Sequence, residues 1–172
     1  FSLQYELSYT TVLNMLYLSG IPLKSEEREK GNWPMIIAGG PCTVNPLPMS
    51  PFIDAFLIGD GEEAIIEILD IYKRWKKEGD GKKESLLKAL SQIEGVFVPL
   101  IHRFTLLGES PEATDSPIYR IKRRYIKSLD SSPYPEAPVV PYTAIVHDRV
   151  NIEVSRGCTM GCRFCQAGMI YR

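Results

Sequence analysis

Along the first hundred residues the apolar positions follow two rhythms. Between residues 8 and 19, Val12, Leu13, Leu16 and Tyr17 recur at helical spacing, and Gly20 followed by Ile21-Pro22 supplies a stop. The polar run LKSEEREKGN that follows predicts a solvated loop. PMIIAGG is a short apolar run closed by two glycines, which predicts a buried strand, whereas NPLPMSP is too rich in proline for regular structure. Residues 55–58 predict a second buried strand, feeding a helix for which Asp60 is the expected N-cap, with Glu63 three residues on. Ile65, Ile68, Leu69, Tyr72 and Trp75 then line one helical face. Acidic residues open this segment, and Lys73, Arg74, Lys76 and Lys77 close it, as the helix dipole favours. GDGKK breaks the helix. Leu86, Leu87, Leu90 and Ile93 predict a further one, and GVFVPL a third strand.

Strands that alternate with amphipathic helices predict an α/β fold with a parallel sheet of Rossmann or flavodoxin type. Three strands make a thin sheet, and the chain opens on Phe1, not Met, so an initial strand and helix are expected to be missing. Residues 102–117 read as loop. In 118–127, IYRIKRRYIK alternates only in part and is expected to be an edge or bridging strand. Pro133, Pro135, Pro138 and Pro141 stiffen an extended linker. The expected division is therefore 1–117, an α/β domain; 118–141, a bridge and linker; and 142–172, the start of a second domain. Val150, Ile152 and Val154 share one parity and predict a strand that leads into the last segment.

Composition narrows the class. Among 172 residues, 44% are hydrophobic and 24% charged, with a net charge of -1, the profile of a globular protein without a global field that would favour nucleic acid or an anionic membrane. No apolar run approaches the roughly 20 residues needed to cross a bilayer, and the N-terminal stretch lacks the basic leader of a signal peptide. Four cysteines, three of them clustered, do not resemble a distributed disulfide framework, so a reducing cytoplasm is expected.

Those three thiols carry the chemistry. Cys158, Cys162 and Cys165 stand within eight residues as CTMGCRFC, flanked by Gly157 and holding Gly161. Such spacing lets several sulfurs converge on one small inorganic centre. Structural zinc wants four protein ligands, and the remaining cysteine, Cys42, is more than a hundred residues away. A 4Fe–4S cluster held only for electron transfer also takes four cysteines. Three leave one metal position open, or open to a ligand from a partner. A binding module with a metal-holding tail is thus the alternative to an enzyme. Cys42 also reads as a small buried thiol, and GDGEE as a capped helix start in preference to a phosphate cradle, because its carboxylates would repel an anion. His147, in HDR, reads as a surface polar residue.

CTMGCRFC, with Phe164 just before the third cysteine, resembles the signature of the radical S-adenosylmethionine (SAM) enzymes. The resemblance implies that Cys158, Cys162 and Cys165 ligate a 4Fe–4S cluster and that Phe164 lies near the adenine of S-adenosylmethionine. It further implies that the open iron binds this cofactor's amino and carboxylate groups, that the reduced cluster cleaves it to a 5′-deoxyadenosyl radical, and that an external electron donor is needed. AGGPCTVNPLPMSPFIDAFLIGDGEEAIIEIL resembles the N-terminal, cobalamin-binding-like domain of B12-binding radical SAM proteins. That implies a cobalamin-binding-like α/β domain followed by the first strand and cysteine loop of a truncated (β/α) barrel. The Asp-x-His-x-x-Gly segment that usually donates cobalamin's axial histidine is absent from the 172 residues, and the histidines present are His102 and His147. Seven residues follow Cys165, so the chain is expected to be the front piece of a larger enzyme and inactive alone. The five basic residues from Arg120 to Lys127, with Tyr119 and Tyr125 interleaved, read first as a solvated edge strand protected by charge and leave a tRNA-modifying enzyme as a further expectation.

Overall fold

The period-two rhythm of residues 55–58 divides the core in two. In the computed structural model of the chain, which describes residues 1–102, 121–146 and 149–171, Ala55–Leu57 form the central strand β2. Ala55 and Leu57 enter one hydrophobic cluster, while Phe56 and Ile58 enter the other. The neighbouring strands split likewise. Ala38 of β1 (Ile37–Ala38) and Phe97 of β3 (Val96–Phe97) join Phe56, whereas Val96 and Val98 join Leu57. Helix α1 (Ser8–Leu18) covers the first face through Val12 and Leu16. Helices α2 (Ala64–Glu78) and α3 (Lys83–Leu90) cover the second through Ala64, Ile68, Leu86, Leu87 and Leu90. The fold is mixed α/β around a small three-stranded sheet of order β1-β2-β3.

The sheet departs from the all-parallel expectation at one edge. β1 and β2 are parallel, in the register Ile37 to Ala55, but β3 runs antiparallel to β2, with Phe97 opposite Phe56. The reason lies in the connection. One helix returns a chain for a parallel strand. Here two helices joined through residues 79–82 reverse it once more, so β3 enters from the other end. Residues 1–3 run beside β1 through a parallel bridge, Ser2 to Gly39, and lead into α1.

Local differences have identifiable causes. Tyr17 is exposed because it lies about 100° round the helix from Leu16, off the stripe shared with Val12. On α2 the apolar face turns to Ile68, Ile71, Tyr72 and Trp75, leaving Ile65 and Leu69 exposed. Asp60 does not cap this helix. Glu63 holds the cap position without a side-chain bond, because residues 58–60 stay extended against the bridging segment. Arg124 N–H donates to the Ile58 carbonyl at 2.9 Å, and Asp60 N–H donates to the Arg124 carbonyl at 3.0 Å. Gly59, at φ +116°, allows this, since a Cβ there would collide with the Arg124 carbonyl. The expected bridging strand is thus observed as a single parallel bridge, Gly59 to Arg124. Residues 103–117 of the expected loop, and 118–120 of the bridge, lie outside the described residues.

The polar run 23–32 conceals a buried charge. Glu26–Arg28 form a short 3-10 turn that sends Arg28 into the interior, with its side chain fully buried. Its guanidinium donates to the carbonyls of Pro22, Leu23 and Phe52 at 2.6–2.7 Å and to Asp54 Oδ1 at 3.1 Å. Asp54 also accepts the Ile36 N–H at 2.7 Å, and Lys83 Nζ lies 3.0 Å from Oδ1. One carboxylate thereby ties the entrance of β1 and the start of β2 to the 3-10 turn and to α3. NPLPMSP likewise holds a 3-10 turn, Leu47–Met49, that buries Met49.

The chain divides into two compact units, Phe1–Tyr125 and Ile126–Arg172. In the second, the proline-bearing segment is exposed and irregular. Val150, Ile152 and Val154 do not form the expected strand. They are extended and exposed, because a strand exists only where a neighbour takes up its backbone hydrogen bonds.

Two outcomes follow for the first unit. Replacing Asp54 by Ala strands two buried cations and should cost about 3–5 kcal/mol in urea denaturation; a loss under about 1 kcal/mol would contradict the buried network. His102 is buried, which holds its pKa below the ordinary value; Val98 N–H also donates to Nδ1 at 2.9 Å, a bond only the neutral ring accepts. Below about pH 6.5 the unfolded chain therefore binds a proton that the folded chain refuses, so stability falls as pH drops there and is indifferent to this group above it. His102→Phe should flatten that slope between pH 7.5 and 5.5, and an unchanged slope would exclude His102 as its source.

Candidate metal centre

The second unit places the three cysteines on one closed loop. Gly157 adopts φ +83°, and a Cβ at this position would strike the Tyr171 carbonyl, so the chain leaves Gly157 and returns to it fourteen residues later. Only glycine suits that crossing. Within the loop, Met160 N–H points to Cys158 Sγ at 3.4 Å. Cys162 N–H donates to the Met160 carbonyl at 2.9 Å, and Cys165 N–H to that of Cys162 at 3.2 Å. A single helical turn, α4 (Ala167–Ile170), closes the loop. Ahead of it, Arg156 grips Glu153 through two parallel bonds of 2.8 and 2.9 Å, a fork that stiffens the approach.

Cys158 and Cys162 are exposed, Cys165 is half-buried, and all are free thiols. Phe164 is exposed beside them. The donor chemistry fits an iron–sulfur or other thiophilic centre: soft sulfur ligands, close in sequence, with no competing disulfide. Their geometry is not yet that of a site. Among the described residues no group of three or more His, Cys, Asp or Glu side chains is arranged to hold a metal ion. The backbone supplies a closed loop and accessible sulfurs, and a metal held there would have to draw the three thiols together as it binds, as in metal sites that fold on their ion.

Other candidate residues resolve into structural roles. Cys42 is buried in the first hydrophobic cluster, and burial pushes its thiol pKa up, away from the thiolate that a metal takes. Glu63 and Glu67 bracket the Arg124 guanidinium at 2.8 and 2.6 Å, so these carboxylates serve an ion pair and not a phosphate. Lys122 pairs with Glu94 at 3.0 Å. Two basic residues of the 118–127 stretch are therefore engaged with acidic partners of the same unit. His102 is in the core, stacked on Phe97 at 5.5 Å, and His147 lies outside the described residues. No helix among the described residues is long and apolar enough to cross a membrane.

Comparison with known proteins places the N-terminal unit. Over 158 residues the chain is 24% identical to the uncharacterized protein MJ0966 of Methanocaldococcus jannaschii, an alignment that takes in 90% of this chain and 28% of the relative. The chain thus spans little more than a quarter of the curated relative it matches. No solved structure matches. Residues 1–99, more than half of the chain and all three strands of its sheet, match the family described as "Radical SAM proteins, N-terminal", and the chain belongs to that family.

Proposed function

We propose that the chain is the N-terminal part of a radical SAM enzyme, in which Cys158, Cys162 and Cys165 hold a 4Fe–4S cluster and Phe164 lies against the adenine of S-adenosylmethionine. The observation that carries this reading is the pairing of a radical SAM N-terminal unit, matched over residues 1–99, with three free thiols on one closed loop. When bound, such a cluster with an open iron supplies one-electron cleavage of S-adenosylmethionine to a carbon radical, and an external donor supplies the electron.

The chain's own residues have defined tasks in this reading. Gly157 lets the loop close on Tyr171, so that the three sulfurs lie on one short contour. Cys165, the least exposed of the three, anchors the loop at the turn into α4. Arg156, locked to Glu153, fixes the direction of entry. The exposed row Val150, Ile152 and Val154 offers a strand edge on which a barrel would be built. The N-terminal unit acts as a cobalamin-binding-like scaffold, and the 172 residues carry no Asp-x-His-x-x-Gly segment of the kind that donates cobalamin's axial histidine.

Anaerobic reconstitution of the full-length polypeptide should give about four iron and four sulfide per chain, and Cys→Ala at any one of the three positions should abolish 5′-deoxyadenosine formation. Activity surviving in the triple variant would overturn the assignment. One equivalent of air-stable zinc would favour the alternative, a binding module with a structural metal tail. The 172-residue chain alone should cleave no S-adenosylmethionine and, purified in air, should lack the broad visible absorption of an iron–sulfur centre. Stoichiometric iron in that preparation would contradict this.

A further inference from the structure

Helix α1 turns an uncharged face to solvent. From Leu7, which already has helical dihedrals, through Leu18, no residue carries a charge. One side of the helix packs into the core through Val12 and Leu16. The opposite side presents Leu7, Thr11, Asn14 and Leu18, which fall within about 60° of one another around the helix axis. The two leucines are 75% and 74% exposed, and Tyr17 and Met15, also exposed, border them. Helix α2 shows how a solvated face is built, since its exposed positions include Asp70, Lys73, Arg74, Lys76 and Lys77. An exposed helical face with leucine, tyrosine and methionine and no charge has the composition of an interface core.

The order of residues along that face indicates what covers it. Leu7, Thr11, Asn14 and Leu18 follow spacings of four, three and four, apolar at both ends and polar between, so the stripe reads the same from either direction. When two such helices pack antiparallel about a two-fold axis, Leu7 of one meets Leu18 of the other. Thr11 then meets Asn14, and a hydroxyl and an amide can hydrogen-bond to each other. Met15 of both copies borders one side of the seam, and Tyr17 of both borders the other. A two-fold axis also brings like residues close together, which penalises a charged face; this one has no charge to repel. A membrane surface is a poorer match, since the helix has no basic residue to meet lipid headgroups.

We propose that this face of α1 is the contact between two copies of the chain, paired antiparallel with Leu7 against Leu18 of the second copy. The contact uses the first unit alone and stands whether or not the radical assignment does. From Leu7 to Leu18 the helix runs about 17 Å. The contact is therefore smaller than the roughly 800 Å² per partner of a standard interface. A weak dimer is expected, with a dissociation constant on the order of tens of micromolar.

Sedimentation velocity tests this on the 172-residue chain in reducing buffer. Between about 5 and 500 µM the chain should pass from monomer to dimer. Leu18→Lys alters a side chain that lies mostly outside the monomer, so the fold is kept. It sets a cation against Leu7 of the second copy and should weaken association at least about tenfold. Adding Leu7→Glu supplies the opposite charge across the axis and should tighten the Leu18→Lys dimer at least about threefold, a gain that about 0.5 M salt removes. Such rescue reports the antiparallel pairing, because within one helix the two positions are three turns apart and do not meet. The full-length polypeptide should dimerise with the same response. The proposal falls if the chain stays monomeric across that range, if Leu18→Lys leaves association unchanged, or if the double variant associates no better than Leu18→Lys. A monomeric full-length polypeptide would also overturn it, by giving the face to another part of the same chain.

Discussion

A single carboxylate organises the N-terminal unit. Asp54 is buried, and it meets Arg28 from the 3-10 turn, Lys83 from α3 and the backbone of Ile36 at the entrance of β1. Those segments lie far apart in sequence, and Asp54 is the one side chain that meets all of them. The rest of the unit is hydrophobic burial on the two faces of a sheet only two or three residues deep per strand. Apolar contacts are indifferent to small shifts in register; a charge that must meet its partners inside the core is not. With strands so short, this group is what pins the sheet to its helices.

The C-terminal unit is governed by the opposite circumstance. Residues 150–154 alternate as a strand should, yet their apolar row is exposed, and among the described residues no neighbouring strand receives the backbone. The cysteines sit on a loop whose closure is set by Gly157, but their sulfurs are not gathered. Coordination of a cluster, as proposed, would supply the missing cross-links, and order in this unit and ligation of the metal would then be one event.

Periodicity made much of this legible. The helices at 8–18, 64–78 and 83–90 and the three strands were apparent from apolar spacing, because each element buries one face against one cluster. The direction of β3 was not, since a local pattern does not say whether two helices or one separates paired strands. Arg28 was read as solvated, because its neighbours are charged and its partner, Asp54, is 26 residues on. Asp60 looked like a cap because the sequence next to it is helical; the competing claim came from Arg124, more than sixty residues away. The segment 150–154 has the pattern of a strand and, among the described residues, lacks the partner that pattern requires. The cysteine motif was legible as donor chemistry, and its geometry was not, because no local rule brings three sulfurs to one point without the centre they hold.

The reading of function rests on one metal position that no side chain of the protein occupies. Mössbauer spectroscopy of the reconstituted full-length protein, with and without S-adenosylmethionine, addresses it directly. The account predicts three iron sites that stay alike and one whose signal changes when the cofactor is added. Four iron sites that all ignore the cofactor, or a protein that takes up no iron, would contradict it.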